Sequence, residues 1–451
     1  MNISRLGEAA YDAATQVFNL SAPARPAAAV TARSIVDIRA ALDFARANGL
    51  PVRMHTTGHA AAGTRPMDGS VLIRTELGGG VEVDAARRIA RIPAGTRWGA
   101  VVEATAPHGL TAPHGSSPSV GAVGYLLRGG MSFYGRKVGL AANSVRAIEL
   151  VTANGDELRV DAQNDPELFW ALRGGGGGLG VVTAIEVELF PVAAVITGGA
   201  YWRAEHAERL LNIWLRWTDD APREATTSVR MLNLPAVDGV PPQLAGPTFS
   251  VDGAVMSTTE DVTEAQRIAD DLLGPLRAVA EPVMDTWATT GPAAVLHAHM
   301  DPTDPVPFVG DHMLLGALGE DGAAEMLRVL GPESDSPLVV AGLRQLGGAF
   351  AEPDPAGGAL SHLAARYSYA GSGVLFDPVT PDLLRGHCTK VREALAPWDT
   401  GRTVPGFVED VERPQRHLDA AAIAAVDDVR VKVDPDGLFR GDIAPNASGL
   451  Y

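Results

Sequence analysis

The spacing of apolar residues before Pro191 predicts a mixture of helices and strands. Ser34 precedes a stretch, IVDIRAALDFARANG, in which apolar residues recur at helical spacing, and Gly49 is a natural end for that helix. The strand-like run PVRM follows directly. Further alternation predicts strands at 71–74, 81–83 and 89–92, with a helix at 98–106. This order is typical of an α+β fold and differs from a regular βαβ series.

A hairpin and a second capped helix are predicted further along the same part of the chain. Asn154 and Gly155 stand between two alternating runs in AIELVTANGDELRV, which is a strong short-range hairpin signal. Asp165 followed by Pro166 favours the start of a helix, because aspartate caps the first turn and proline fits its first position. The run VVTAIEVELF then predicts a strand.

The pattern changes after Pro191. Amphipathic helices are predicted near 204–217, 260–273, 320–330 and 380–396, and strands near 226–234, 247–256, 336–344 and 364–376. Helices packed on one face of an antiparallel sheet would account for this alternation. The proline- and glycine-rich stretches PAVDGVPPQLAGP, HMDPTDPVPFVGDH and FAEPDPAGG are predicted loops that border a pocket.

Three loops rich in small residues give the first indication of function. They are PVRMHTTGHAAAG at 51–63, HGSSPSVGAVGYLLRGG at 114–130 and RGGGGGLGVV at 173–182. Consecutive backbone amides in such loops can bind an anion, and glycine lets the backbone come close to a ligand. The three loops therefore predict a site for a large, phosphate-bearing cofactor.

The glycine run of the third loop formally contains GxGxxG, the signature of a Rossmann nucleotide site. That motif requires a strand before the glycines and a helix after them. Here the order is reversed, since a predicted helix precedes the glycines and a predicted strand follows. We therefore set the Rossmann interpretation aside.

Composition narrows the class of protein without naming its chemistry. The 451 residues are 46% hydrophobic, enough to bury two or three domain cores, and the net charge of −17 disfavours a nucleic-acid partner. The single cysteine, Cys388, excludes an intrachain disulfide framework and is compatible with a reducing cytoplasm. The first residues do not resemble a signal peptide, and the chain has no apolar run of about 18 residues. We expect a cytoplasmic protein that does not span a membrane.

Six segments in order resemble flavoproteins of the berberine bridge enzyme and p-cresol methylhydroxylase group. They are AALDFARANGLPV before the histidine loop, AGTRWGAVV, SPSVGAVGYLLRGGMSFYGRKVGLAANSV, AIELVTANGDELRV, NDPELFWALRGGGGGLGVVT and the terminal VDPDGLFR. The resemblance implies an α+β, two-domain, p-cresol methylhydroxylase-type FAD-binding fold whose substrate domain is an antiparallel sheet covered by helices. It implies an FAD-binding domain at 1–193, completed by 401–451, and a substrate-binding domain at 194–400.

The same resemblance assigns cofactor-binding residues. It implies that FAD is bound covalently through His59, and that Ser117 stands where many members have a second, cysteine link. A neutral imidazole suits this role because it is nucleophilic near neutral pH. The other residues that it places around FAD are His55, Thr56, Thr57, Gly58, Ala60, Pro118, Val120, Gly121, Gly124, Tyr125, Gly130, Leu140, Asn143, Val145, Gly180 and Val182.

The catalytic base is not identified by the family pattern. Many members carry a tyrosine in a YxNF-like segment before the terminal motif, but this chain has VPGF, with Val404 at the tyrosine position. Tyr367 and Tyr369 point to one face of a predicted strand and are candidate bases, although packing of both rings on the sheet is an equally good interpretation. Further candidates are Tyr134 and Tyr125 in the flavin loop, and Glu409 or Asp410 near the tail.

His297 and His299, with Asp301 and His312 nearby, raise the question of a metal site. A third ligand at fixed spacing is not evident, so pocket-lining or surface histidines are the preferred interpretation, and we expect no metal.

The expected function is that of an FAD-linked oxidoreductase that takes hydride from a small organic molecule, with dioxygen as the electron acceptor. Two alternatives remain open, because the usual tyrosine is absent. One is a flavin-dependent oxidative cyclase that forms carbon–carbon bonds, and the other is a flavin-bearing protein that sequesters a metabolite.

Overall fold

The computed structural model describes residues 3–413 and 416–441. The part of the chain before residue 192 contains ten strands and six helices within the described range. The strands are β1 Ala28–Ala32, β2 Val52–His55, β3 Val71–Thr75, β4 Glu82–Asp84, β5 Ile89–Pro93, β6 Leu110–Thr111, β7 Val145–Val151, β8 Glu157–Asp161, β9 Val181–Glu188 and β10 Phe190–Pro191. The helices are α1 Ala9–Ala14, α2 Ile35–Ala47, α3 Trp98–Thr105, α4 Ala122–Leu127, α5 Gly135–Val138 and α6 Pro166–Leu172.

These strands form a parallel sheet, β1-β3-β2, an antiparallel sheet, β4-β5-β9-β7-β8, and the pair β10-β6. The predicted hairpin is confirmed, since β7 and β8 pair antiparallel on either side of Asn154 and Gly155. Both predicted caps are confirmed as well. The Ser34 hydroxyl accepts a hydrogen bond from the Asp37 amide at 3.2 Å, and Asp165 accepts one from the Leu168 amide at 3.2 Å.

The following part of the chain forms an eight-stranded sheet, in the order β14-β11-β13-β12-β17-β18-β16 with β15 paired to β11. Its strands are β11 Ala194–Arg203, β12 Ala225–Leu234, β13 Gly246–Ser257, β14 Met284–Asp285, β15 Ala288–Thr290, β16 Phe308–Leu315, β17 Val340–Gln345 and β18 Tyr367–Val374. Its helices are α7 Ala207–Asp220, α8 Thr263–Arg277, α9 Gly319–Leu330 and α10 Pro381–Leu395. Every pairing in this sheet is antiparallel.

The two faces of the eight-stranded sheet have different environments. On one face, side chains of the helices, including Trp214, Met326 and Leu384, form a core with Tyr367 and Tyr369 of β18. The residues of the other face, which alternate with these, border a large cavity. This alternation determines which side chains of the sheet can reach a ligand.

The spacing of apolar residues did not predict β11, β16 or the helix α11, Ala420–Val433. In β16 the reason is that Asp311 and His312 lie in the middle of the strand. Both are buried, because Asp311 pairs with Arg392 and Arg413 while His312 Nδ1 lies 2.7 Å from the carbonyl oxygen of Tyr369. A strand whose polar side chains are paired inside the protein does not show a simple alternating pattern.

The end of the described chain returns to the first sheets. Arg430 of α11 donates to the carbonyl oxygen of Gly177 at 3.0 Å, and the Val52 amide donates to that of Leu438 at 2.8 Å. Among residues 3–413 and 416–441, no helix has both the length and the apolar character needed to cross a bilayer.

Candidate active site

A cavity of about 870 Å³ lies between the three small-residue loops and the open face of the eight-stranded sheet. Its volume falls within the roughly 300–1,000 Å³ that is typical of sites for cofactors and small molecules. The loops at 51–63, 114–130 and 173–182 supply one wall, and strands β12, β17 and β18 supply the other. The sequence-based expectation that these loops share one site agrees with this arrangement.

The histidine loop begins where β2 ends. Gly58 has a φ of 68°, and a Cβ atom there would lie 2.7 Å from Val17, so the turn needs glycine both for its backbone conformation and for close packing. In the part of the chain that the structure describes, the amides of residues 57–60 donate no hydrogen bond. Such a row of amides beside a cavity suits an anionic ligand. The His59 ring stacks on Phe18 at a centroid distance of 3.9 Å and an angle of 12°.

His59 has hydroxyl groups near both ring nitrogens. Its Nδ1 atom lies 2.8 Å from the Thr57 hydroxyl oxygen, and its Nε2 atom lies 3.3 Å from that of Ser119. Burial lowers the pKa of His59 to about 4, and the positive charge of Arg97 adds to that effect. The imidazole is therefore neutral at physiological pH and keeps a lone pair, which a nucleophile requires.

The second loop places Ser117 and Tyr125 in the same wall. The Ser117 hydroxyl lies 3.0 Å from that of Ser119, so it is linked through Ser119 to His59. A Cβ atom at Gly130 would lie 2.4 Å from the Tyr125 ring, and Gly130 has a φ of 71°, so this position also requires glycine. The Tyr125 hydroxyl is buried without a hydrogen-bond partner among the described residues. Burial raises the pKa of Tyr125 well above its usual value.

Most of the residues that the sequence analysis assigned to FAD line the cavity, but four do not. Pro118 packs near Gly99, Leu140 belongs to the hydrophobic core, and Val145 begins β7. Asn143 donates to the carbonyl oxygen of Ser361 at 2.8 Å. Their expected contact with the cofactor is not supported. Those that line the cavity are His55, Thr56, Thr57, Gly58, His59, Ala60, Ser117, Val120, Gly121, Gly124, Tyr125, Gly130, Gly180 and Val182.

The three candidate catalytic tyrosines do not line the cavity, and for Tyr367 and Tyr369 the structure favours the other interpretation, packing of both rings on the sheet. Tyr367 and Tyr369 do share a face of β18, but that face packs against the helices. The Tyr367 hydroxyl is 2.7 Å from that of Thr218, and Tyr369 is fully buried in the core. Tyr134 is also buried, with its ring edge-on to His114 and Phe190. Burial raises the pKa of Tyr134 and of Tyr369, which makes both poor proton acceptors.

A polar cluster lies on the cavity wall that the eight-stranded sheet forms, here called the sheet wall, and it was not predicted as a site. Asp252 of β13 is fully buried, lies 2.9 Å from His299 Nε2, and accepts hydrogen bonds from Ser228 and Arg230 at 2.7 Å each. His299, Ser228 and Arg230 border the cavity together with Arg344. The sequence pointed to His299 through the HxH pattern, but its partner Asp252 is far away in the chain. The described residues contain no group of three or more potential ligands that could hold a metal ion.

Glu409 is a further titratable group on the cavity wall. Its Oε2 atom is buried and has no hydrogen-bond partner among the described residues. Burial raises the pKa of Glu409 to about 8, against the opposing influence of Asn19 and Arg128. The neighbouring VPGF segment is held by the Val404 amide, which donates to His312 Nε2 at 3.1 Å. Among the weaker sequence candidates, Glu409 therefore reaches the cavity.

Comparison with known proteins shows a family match over the part of the chain that contains the first two small-residue loops. The family described as "FAD binding domain" matches residues 26–161 of this chain. The (R)-6-hydroxynicotine oxidase of Paenarthrobacter nicotinovorans is 33% identical over 192 residues, which are 43% of this chain and 42% of that protein. The matched stretch thus spans less than half of that relative. The family match at 26–161 includes the loops at 51–63 and 114–130.

Solved structures match the whole architecture. The 6-hydroxy-D-nicotine oxidase of Arthrobacter nicotinovorans has a TM-score of 0.83 at 22% identity, covering 99% of this chain and 97% of that one. The glucooligosaccharide oxidase of Acremonium strictum, whose FAD is described as 6-S-cysteinyl and 8α-N1-histidyl, has a TM-score of 0.78 at 17% identity, covering 99% and 97%. These likenesses confirm the α+β fold, including the antiparallel sheet covered by helices.

Proposed function

Because residues 26–161 belong to an FAD-binding family and the whole chain has the fold of FAD-linked oxidases, we propose that this protein is an FAD-linked oxidoreductase. It oxidises a small organic molecule in the cavity and holds FAD through a single covalent bond to His59. Dioxygen accepts the electrons in turn. The relative with the 33% identical segment is named as an oxidase, which supports the choice of dioxygen.

The residues of the cavity fit such a cofactor. The amides of residues 57–60 offer donors to an anion, and glycines at 58, 121, 124 and 130 keep side chains out of the space beside them. When bound there, FAD would supply the hydride-accepting chemistry, and the protein would supply binding and orientation. The polar side chains on the sheet wall would then face the substrate.

The position of His59 is the observation that carries the proposed bond. Its imidazole lines the cavity, is neutral because of burial, and has hydroxyl groups rather than charged groups as its hydrogen-bond partners. A neutral imidazole has one unprotonated nitrogen, and the lone pair of that nitrogen can form the bond. Ser117 borders the same space with a hydroxyl group in place of a thiol, so one link is expected rather than two.

Acid precipitation of the purified protein tests the bond. The yellow colour should stay with the precipitate, and a proteolytic peptide containing His59 should carry the mass of the flavin. In His59→Ala the flavin should be released completely by acid. Ser119→Ala, which keeps both nitrogens of His59, serves as the matched control and should retain covalent flavin.

Three results would count against the proposal. If acid releases all flavin from the wild-type protein, there is no covalent bond. If a flavin-bearing peptide contains Ser117 instead of His59, the bond is formed by the other loop. A protein that binds FAD without reducing it in the presence of any candidate substrate would support the interpretation as a binding protein.

A further inference from the structure

The polar cluster on the sheet wall has the geometry of a positioned proton acceptor. His299 Nε2 lies 2.9 Å from a carboxylate oxygen of Asp252, and the His299 side chain is 14% exposed while that of Asp252 is fully buried. Ser228 donates to the same carboxylate at 2.7 Å, and Arg230 donates to its other oxygen at 2.7 Å. Arg230 also donates to the His299 carbonyl oxygen at 2.9 Å. Both the ring and the backbone of His299 are therefore held in place.

This arrangement decides which ring nitrogen carries the proton. Two oxygens lie 2.9 Å from Nε2, one of the Asp252 carboxylate and one of the Ser228 hydroxyl, whose own proton is donated to Asp252. Both can then only accept from the ring, so Nε2 is the protonated nitrogen. The lone pair of a neutral His299 is then on Nδ1. The Ser116 hydroxyl is 3.5 Å from Nδ1 and donates to Asp301 at 2.9 Å. The distance of 3.8 Å from Nδ1 to Asp301 exceeds that of a hydrogen bond.

Arg344 adds a positive charge beside this nitrogen. It is 8% exposed, it borders the cavity, and it makes no ion pair with a carboxylate in the ranges that the structure describes. One of its nitrogens donates to the carbonyl oxygen of Met131 at 3.0 Å, and its guanidinium carbon lies 4.3 Å from the centre of the Phe133 ring. Its Nη2 atom is 3.3 Å from both nitrogens of His299. Because a guanidinium only donates and Nε2 carries a proton, the acceptor is Nδ1, and a substrate hydroxyl must replace this long contact.

A buried guanidinium without a carboxylate partner is costly unless a ligand supplies the negative charge. Beside it, the sheet wall continues as an apolar surface. This surface is formed by Leu232, Leu234, Val240, Pro241, Leu244 and Val340. The wall therefore suits a molecule with one oxygen-bearing end and an apolar body.

We propose that His299 is the proton acceptor of the proposed oxidoreductase, that Asp252 positions it, and that Arg344 stabilises the oxygen of a hydroxyl-bearing substrate. The O–H bond of the substrate breaks, its proton binds Nδ1 of His299, and the electron pair stays on the oxygen beside the guanidinium. This inference rests on the proposed function only for the step that follows, in which the flavin oxidises the deprotonated substrate. Ser116 neighbours Ser117 in sequence and bonds to Asp301, so this cluster and the His59 loop border one continuous space.

Several charged or titratable groups lie around His299. They come from four strands and the loop that carries it: Tyr201 on β11, Arg230 on β12, Asp252 on β13, Arg344 on β17 and Asp301. Burial lowers the pKa of His299, and the two arginines add to that effect while Asp252 opposes it. The imidazole is thus neutral and able to accept a proton at physiological pH.

Binding of 4-nitrophenol to the flavin-loaded protein tests the inference without turnover. The absorbance of this probe reports its ionisation, and its hydroxyl carbon carries no hydrogen that could be removed as hydride. The wild-type protein should lower the apparent pKa of the bound probe by at least about one pH unit, a tenfold shift in its ionisation equilibrium. The ether 4-nitroanisole, which lacks the hydroxyl, should bind at least about tenfold more weakly.

Substitutions assign the roles. In His299→Gln and His299→Ala the shift in the probe's ionisation should become smaller, because only the charge of Arg344 then favours the ionised probe. Added imidazole should restore part of the lost shift in His299→Ala. Asp252→Asn should reduce the shift, whereas Asp252→Glu should restore part of it. Tyr369→Phe, on the other face of the sheet, should behave as the wild type.

Three outcomes would overturn the inference. They are an unchanged shift in both His299 variants, loss of the shift in Asp301→Asn with His299 intact, and equal binding of nitrophenol and nitroanisole. If Asp252→Asn fails to fold, the His299 variants with imidazole still decide the question. Acid precipitation tests the flavin bond on the same samples, so failure of the proposed function can be recognised separately.

Discussion

His59 and His299 border the same cavity but are held in opposite ways. His59 has a hydroxyl group near each nitrogen and an aromatic ring against its face. His299 has a buried carboxylate on one nitrogen and a guanidinium beside its ring. Burial favours the neutral form of both. Hydroxyl partners can donate or accept and therefore suit either tautomer of the histidine, whereas a carboxylate fixes the tautomer and makes the other nitrogen a better base.

Removing the carboxylate of Asp252 should be the most damaging change. Asp252→Ala leaves the guanidinium of Arg230 buried without its partner, and breaking a buried ion pair typically costs about 3–5 kcal/mol. Ser119→Ala, the matched change beside His59, removes a hydroxyl contact worth about 0.5–1.5 kcal/mol. Urea unfolding of proteins with equal flavin content would measure both losses. Equal losses would show that the two histidines are held by similar energies.

Glu409 extends the comparison, because it borders the cavity and its buried Oε2 atom has neither kind of partner among residues 3–413 and 416–441. Its pKa is raised from 4.5 to about 8, so between these values the folded protein binds more protons than the unfolded chain. This contribution to the free energy of unfolding should therefore fall as the pH rises, by at most about 1.4 kcal/mol per pH unit. For Asp252 the sign is opposite, since its lowered pKa gives stability that is lost on acidification.

Denaturant unfolding of wild type and Glu409→Gln from pH about 5 to about 7.5 checks this sign. The stability difference should change steadily in favour of the glutamine variant as the pH rises. Asp410→Asn removes the neighbouring carboxylate instead and is a suitable control. Its stability should change with pH in the same way as that of the wild type. Parallel curves for wild type and Glu409→Gln would mean that Glu409 ionises normally.

The smallest expected effects concern the helix-covered face of β18. Tyr367→Phe removes a hydroxyl that lies 2.7 Å from the Thr218 hydroxyl, and should cost about 0.5–1.5 kcal/mol. Tyr369→Phe removes a buried hydroxyl without a partner among the described residues, and should be neutral or slightly stabilising. Thermal unfolding would compare them, and rapid-mixing kinetics should show unchanged flavin reduction in both. Slow reduction in either variant would restore tyrosine as the candidate base.

The amino-acid sequence was sufficient for features that depend on neighbours in the chain. The caps at Ser34 and Asp165 and the hairpin at Asn154 are formed by residues within a few positions of each other. The histidine loop was recognisable for the same reason, since the glycine and small residues that shape it surround His59 directly. Local backbone conformation depends mainly on residues that are close together in the sequence.

Features that join distant segments were decided by the tertiary structure. The period of two in β18 showed that Tyr367 and Tyr369 share a face, but it could not show whether that face meets the helices or the cavity. The pairing of His299 with Asp252 depends on the packing of the loop that carries His299 against β13, 47 residues earlier in the numbering. Burial of Arg344 and Glu409 likewise depends on segments that are far apart in the chain. The sequence by itself determined the fold class and the loop around His59. Only the tertiary structure placed charged groups in the cavity wall, where the dielectric constant is low. There the protonation state of a buried group depends on its partners, which come from distant segments.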